Sequence, residues 1–449
     1  MPVTDAPPTV VEVRDHRGRS YRVGECPEDL IGCSRTWMLA FAWIAMACIG
    51  VLQYGFGVAL TALHVTGGGS LTGALWVLAL WVVFQAGAAA PTAVLSHRFA
   101  LSPGRAVPVG AVLCAAGPLT VALTDDFALA IVGYSVLSGI GAGIVYATCT
   151  ATVAKWYPEK RAARVGLVTG AIGCGAVPFI AAFAAILTPD NRTPVFLAVG
   201  VVMLVVVAQA GALLQDPPAG WWPLDIDPRQ WAIDKTLNRS LGNNVTAIRQ
   251  YSPAEAIRTP AFLVMYLIMV IAAAASLLTA VYVPILAIYQ GFSLTVAALA
   301  VGLLAIVNGT GRSIAGRLSD RLGRRQTLTA ALLVQGSAQL GLVYSASTAV
   351  PVAFIGFAAL SGLAGGAFYP LVASLVADYF GEPSAARNFG AVYSAKLFGG
   401  VIGIGLPALL IGSQHLPIAF LVAGVVSLGA AVMTRLLHRP GLPVLGLPR

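Results

Sequence analysis

Twelve stretches of roughly 20 or more residues run along the chain with almost no charge, each long enough to cross about 30 Å of hydrocarbon as a helix. They cover 37–63, 73–96, 106–124, 127–156, 164–188, 193–215, 260–287, 294–317, 325–346, 350–378, 388–413 and 416–437. Helices rather than strands follow from backbone chemistry, because in lipid every N–H and C=O must be bonded internally. The many glycines within the runs fit close helix packing and bending. Only 10% of the 449 residues are charged, against about 25% in soluble domains, and the mean hydropathy is +0.83. No single aqueous core could hide such a chain. The fold class expected is an all-α membrane protein of twelve transmembrane helices, with the lipid bilayer as its surroundings.

The charges that remain orient the spans. Loops after spans 2, 4 and 8 hold His97/Arg98/Arg105, Lys160/Arg161/Arg164 and Arg317/Arg321/Arg324/Arg325, and Arg435, Arg439 and Arg449 follow the last span. The opposite loops, "HVTGGGSLTG", "TDDF", "PDNRTP" and "YQGFSLT", hold one cation between them. Positive loops face the cytoplasm, so both termini are expected inside, with the chain in the cytoplasmic (inner) membrane. Residues 1–35 are polar and read as a poorly ordered cytoplasmic tail, not a signal peptide. A long cytoplasmic connection, 216–259, carries "DPPAGWWPLDIDPRQW" and then "SPAEAIRTPAF", the latter a short surface helix. It separates a six-helix half at 36–215 from a second at 260–437, with a tail at 438–449.

The net charge of +9 lies in short loops rather than a basic domain, so nucleic acid is not an expected partner. The six cysteines are scattered without a CxxC, and four lie in apolar runs. Neither a disulfide framework nor a metal site is expected. An enzyme or receptor reading lacks any catalytic constellation or nucleotide loop, and no cofactor is implied.

An internal repeat supports two halves. "SGIGAGIVYATCTATVAKWYPEKRAAR" (138–164) aligns without a gap on "SGLAGGAFYPLVASLVADYFGEPSAAR" (361–387), matching Ser138/Ser361, Gly143/Gly366, Tyr146/Tyr369, Glu159/Glu382 and Arg164/Arg387. The same offset sets Ser96 on Ser319 and Arg98 on Arg321. Two pseudo-symmetric six-helix halves are a transporter architecture.

"GRLSDRLGRR" (316–325) resembles the loop signature of the major facilitator superfamily, G-x-x-x-D-R-x-G-R-R. More narrowly, "NGTGR" (308–312), "AVYSAK" (391–396), "AKWYPEKRAARVGLVTGA" (154–171), "PPAGWWP" (217–223) and "AIRTPAF" (256–262) resemble the oxalate:formate antiporter family, which is related to the monocarboxylate transporters. The resemblance implies the major facilitator fold and carboxylate transport by alternating access. It also implies an anion site between the halves made by an arginine of span 8 and a lysine of span 11, here Arg312 and Lys396. One departure concerns size. The family's oxalate carrier encloses its substrate in bulky aromatics, whereas "SGLAGGAFYP" around Tyr369 is mostly small, so a wider cavity is expected.

Burial physics points to the same two residues. Arg312 lies eight residues before Asp320, where span 8 meets the cytoplasm, and Lys396 eight after Asn388, where span 11 begins. Each is thus about 12 Å deep. All eighteen carboxylates fall in tails, loops or span ends, leaving the two cations without an internal counter-ion. A cation on a spanning helix costs about 2.5–3.5 kcal/mol on insertion scales, which makes sense if the missing anion is a small organic substrate. Arginine offers a bidentate fork and lysine a point charge. The bland alternative is that both snorkel to headgroups or bond backbone carbonyls. Gln53 and Tyr54 of span 1, Trp81 and Gln85 of span 2, and the repeat-related Tyr146 and Tyr369 are further lining candidates, or packing residues. The resemblance favours the first five over Tyr369.

Gly316, Asp320, Arg321, Gly323 and Arg324 read as a cytoplasmic latch. Asp320 is expected to face the N-terminus of span 5 near Arg164, where exposed N–H groups and the helix dipole favour an anion, holding the halves together only in the outward-open state, and Asp378 to join it. The alternative is a topogenic cluster alone. Two unpaired cations disfavour closing around an empty site, which favours exchange or uniport over proton coupling; antiport by a monomer is the expectation. Proton-coupled monocarboxylate symport through Lys396, or export of hydrophobic drugs or metabolites independent of Arg312, are the alternatives.

Overall fold

The apolar runs are helical wherever the computed structural model describes them, which is over residues 10–16, 18–56, 59, 71–244, 247–381, 384–411 and 415–441. In chain order the long helices are α1 (Arg35–Gly55), α2 (Leu71–Arg98), α3 (Pro103–Leu123), α4 (Phe127–Trp156), α5 (Arg161–Ile186) and α6 (Arg192–Ala212). After the middle segment come α7 (Pro260–Tyr289), α8 (Leu294–Leu322), α9 (Arg324–Ser347), α10 (Pro351–Phe380), α11 (Ala385–Ala408) and α12 (Leu416–Met433). The expected ends of spans 1 and 11, the loop 64–70, Glu382 of the repeat and the last eight residues lie outside the described residues.

Eleven of these helices are both long and apolar enough to cross a bilayer; α9 has the length but not the apolarity. The reason is visible in its packing. Gln335 and Gln339 are fully buried against α7 and α10. Gln335 Nε2 donates to Ser361 Oγ at 2.8 Å, and Gln339 Nε2 to the Ala275 carbonyl at 2.8 Å and Thr279 Oγ1 at 3.1 Å. The polarity of α9 is turned into the bundle, where the amide nitrogens of both glutamines are bonded while their carbonyl oxygens have no hydrogen-bond partner among the described residues.

Helix contacts are close where side chains vanish. A Cβ on Gly170 of α5 would stand 2.2 Å from the Gly309 carbonyl oxygen of α8, and one on Gly366 of α10 would stand 2.1 Å from that of Asn308. Backbone meets backbone at both places, as small-residue interfaces in membranes allow. α2 packs along α11, with Gly390 against Ala90. Three helices carry π-helical turns: 51–55 in α1, 131–138 in α4 and 401–405 in α11.

The ends of α2, α4, α8 and α10 that carry the charged loops gather on one face with the middle segment. The expected poorly ordered tail is ordered over part of its described length. Val11–Arg14 (β1) and Ser20–Val23 (β2) pair antiparallel, Val11 opposite Val23. The hairpin docks on the Trp-rich connection. Arg22 N donates to the Gly220 carbonyl at 2.7 Å, Trp222 N to the Arg22 carbonyl at 3.0 Å, and Tyr21 meets Trp222 edge-on at 5.0 Å. Trp221 in turn packs on Trp156 at the end of α4. The expected short helix before α7 is Pro253–Ile257, closed by a Ser252/Glu255 capping box. On the opposite face Arg192 pairs with Asp125 and, by hydrogen bond and charge, holds that carboxyl below its ordinary range.

Candidate functional site

Arg312 and Lys396 lie together near the middle of the bundle, each only 4% exposed. Local structure brings them there. α8 places Asn308 one turn before Arg312, and the guanidinium Nη2 donates to Asn308 Oδ1 at 3.4 Å. α11 is interrupted at Ser394, with Tyr393 and Lys396 on either side of the break. From α10, Tyr369 offers its ring to both cations: the Arg312 guanidinium carbon is 5.0 Å from the ring centre and Lys396 Nζ 5.7 Å. Two charges thus share one small compartment, where a ring face attracts each.

The remaining partners are neutral. Lys396 Nζ donates to Gln85 Oε1 at 2.8 Å and to Gln53 Oε1 at 3.5 Å. Tyr54 Oη donates to Asn308 Oδ1 at 3.1 Å. Gln53 and Tyr54 belong to the π-helical turn of α1, a feature common where helices carry function. Among the described residues no carboxylate pairs with either cation, and the buried Arg312 Nε has no hydrogen-bond partner. Neither side chain snorkels to the surface or rests on backbone carbonyls.

Of the other candidates, Tyr146 joins the cluster by stacking on Tyr393, centres 5.0 Å apart and 18° between planes. Trp81 does not join it. Its indole N–H donates to Ser138 Oγ at 3.1 Å within the α2–α4 contact, so it is a packing residue in this conformation. Two participants escaped the sequence reading. Tyr393 holds Gln85 by a 3.2 Å bond from the amide and lies 5.7 Å from Lys396 Nζ. Asn308 bridges Tyr54 and Arg312. The signal for both was spacing, since each lies one helical turn before its cation.

Below the cluster, on the charged-loop face, opens a vestibule of about 1310 Å³. It reaches up to Tyr146, Phe389 and Tyr393 but not to Arg312, Lys396 or Tyr369. The stacked tyrosines therefore part the cation pair from the vestibule.

The latch contact expected in the outward-open state is not made here, where the vestibule opens on the charged-loop face. Asp320 makes no contact with Arg164 among the described residues. It pairs with Arg324 at 2.5 Å, one turn away, and Arg324 Nε also reaches Asp378 at 3.3 Å. Arg164 lies over the Tyr157 ring instead. Open vestibule space explains the difference, since Asp320, Arg324 and Asp378 all line it. Gly323 ends α8 at φ +97, which favours glycine. Gly316 faces the Ala162 carbonyl, 2.8 Å from where its Cβ would stand. The Arg321 carbonyl accepts from Asn243, and Asn244 bonds both the Ser319 carbonyl and Arg324 N, so the middle segment grips this corner.

The sequence agrees with known proteins along most of its length. A family model described as the Major Facilitator Superfamily matches residues 42–356 and 265–446. An oxalate:formate antiporter of Oxalobacter formigenes is 26% identical over 419 residues, 92% of this chain and 93% of its own length. Monocarboxylate transporter 11 of Mus musculus is 26% identical over 392 residues, covering 83% and 80%. An uncharacterized MFS-type transporter of Escherichia coli, YhjX, is 23% identical over 302 residues, covering 67% and 69%.

Proposed function

Because the chain belongs to the major facilitator superfamily and is a membrane transporter of that kind, we propose that it exchanges small organic carboxylate anions by alternating access. One observation carries the reading. Two buried cations share one aromatic ring, have only neutral partners, and leave a donor of Arg312 unused. A carboxylate would take the guanidinium fork through two oxygens, and the ammonium would hold a second carboxylate or another polar group. The two relatives whose names specify carboxylates support the same class.

Exchange follows from the cost of the empty site. Moving between two closed states with both charges unneutralised is unfavourable in a low-dielectric interior, so each passage is made with an anion aboard. The charged-loop face is the cytoplasmic one by its cation excess, which makes both ends of the chain cytoplasmic and the conformation inward-facing. The protein works as a monomer in the inner membrane, with α1–α6 and α7–α12 as its two halves. Asp320, released from α5 here, would bind the N-terminus of α5 when the vestibule closes.

Counterflow in proteoliposomes tests the proposal. Vesicles preloaded in turn with oxalate, formate, lactate, pyruvate, malonate or succinate are expected to accelerate uptake of one labelled carboxylate. Uptake that ignores the internal anion would sink exchange, and no carboxylate uptake by folded protein would sink the substrate class. Tyr393→Ala supplies a finer check. It removes a desolvated ring face worth about 2 kcal/mol to a cation and opens the tyrosine pair. KM is expected to rise about tenfold or more, and substrate to leak without counter-substrate.

A further inference from the structure

Below the tyrosine pair, the vestibule is a charged chamber in its own right. Its carboxylates are all engaged: Glu159 with Arg35, Asp216 with Lys155, Asp320 and Asp378 with Arg324, and Asp15 with the Arg19 amide and Tyr21 hydroxyl. Most of its cations are not. Arg105, Lys160, Arg161, Arg317, Arg321 and Arg387 line it and form no ion pair among the described residues. The first turns of α3, α5 and α11 open on it at 102–105, 161–163 and 385–387, adding the positive ends of three helices.

We infer that the vestibule holds a second, weaker anion station, which takes the carboxylate before the tyrosine pair admits it to Arg312 and Lys396. The inference rests on the carboxylate reading above. A cleft lined by one sign of charge and walled by apolar helices focuses the field and raises the local concentration of the opposite ion. Arg161 and Arg387, half-buried at the starts of α5 and α11, hold the charge of an arriving carboxylate. A dianion gains about twice the Coulomb energy of a monoanion in the same field, so the station favours dicarboxylates.

The test is sided. In proteoliposomes of one orientation, exchange is measured with substrate varied on the charged-loop face and then on the opposite face. Arg161→Gln/Arg387→Gln is expected to raise KM on the charged-loop face about tenfold for a dianion and less for a monoanion, within the range that charge steering commands. KM on the other face stays as it was. Arg161→Lys/Arg387→Lys, which keeps the charge, restores the wild-type value. Equal KM on the charged-loop face in wild type and the neutralised variant overturns the station while leaving the central site standing, as does an equal rise on both faces. Wild-type protein that exchanges no carboxylate overturns the carboxylate reading and this inference with it.

Discussion

Arg312→Gln is expected to abolish carboxylate exchange while leaving the empty protein at least as heat-stable as the wild type. The fork would give a bound carboxylate two charge-assisted hydrogen bonds of about 1.5–3 kcal/mol each. Their loss slows exchange by on the order of a hundredfold to ten-thousandfold. Stability moves the other way, because a charge on a spanning helix costs about 2.5–3.5 kcal/mol and Arg312 has only an amide and a ring to offset it. Lys396→Gln should behave alike, and Arg312→Lys should remain inactive because a point charge cannot replace the fork. Initial exchange rates and thermal unfolding in detergent together decide the matter. A variant that melts far below wild type would make Arg312 a structural residue, and one that still exchanges would remove it from the site.

The second large effect concerns two glycines that look equivalent in sequence. Gly366→Ala sets a methyl against the Asn308 carbonyl of α8, and Gly170→Ala sets one against the Gly309 carbonyl, again of α8. Either contact is far too short, and neither backbone can yield by a side-chain rotation. In the two-half reading α8 and α10 share a half, so Gly366→Ala must part helices that never separate. Loss of monodisperse protein, or an unfolding midpoint lower by several degrees, is expected. α5 and α8 belong to different halves, which can tilt apart. Gly170→Ala is therefore expected to fold, but to abandon this conformation. A cysteine placed at Ser374, which lines the vestibule, would then react several-fold more slowly with a membrane-impermeant maleimide. If both variants simply unfold, or both leave labelling unchanged, the α5–α8 contact is not a moving one.

Much of this was legible beforehand, for identifiable reasons. Apolar runs announce spanning helices because lipid leaves the backbone no alternative. α9 resisted that test because Gln335 and Gln339 look like a defect until their amide nitrogens are seen bonded to α7 and α10. The Arg312–Lys396 pair was legible because every carboxylate lay elsewhere. Asn308 and Tyr393 were quoted within their motifs but not singled out, since a neutral residue beside a charge carries no cost that marks it. The hairpin was missed because four-residue strands have too little alternation to register, and its support, Trp221 and Trp222, lies some two hundred residues along the chain. The Asp320–Arg324 pair was not legible, because the contact expected for Asp320 belongs to the outward-open state and the vestibule here opens on the charged-loop face.

The π-helical turn at 51–55 carries one residue more than a regular turn needs. Removing a single residue there, Val51 for example, would let α1 continue as an ordinary α-helix. The helix on either side would keep its place, because the wide turn is what absorbs the extra residue, and the change would fall on the turn itself. Gln53 and Tyr54 would then lose the positions from which they meet Lys396 and Asn308, though no side chain of the site had been altered. In this helix the length of the chain between its two ends is a working part, and insertions or deletions here should be tolerated far less well than substitutions.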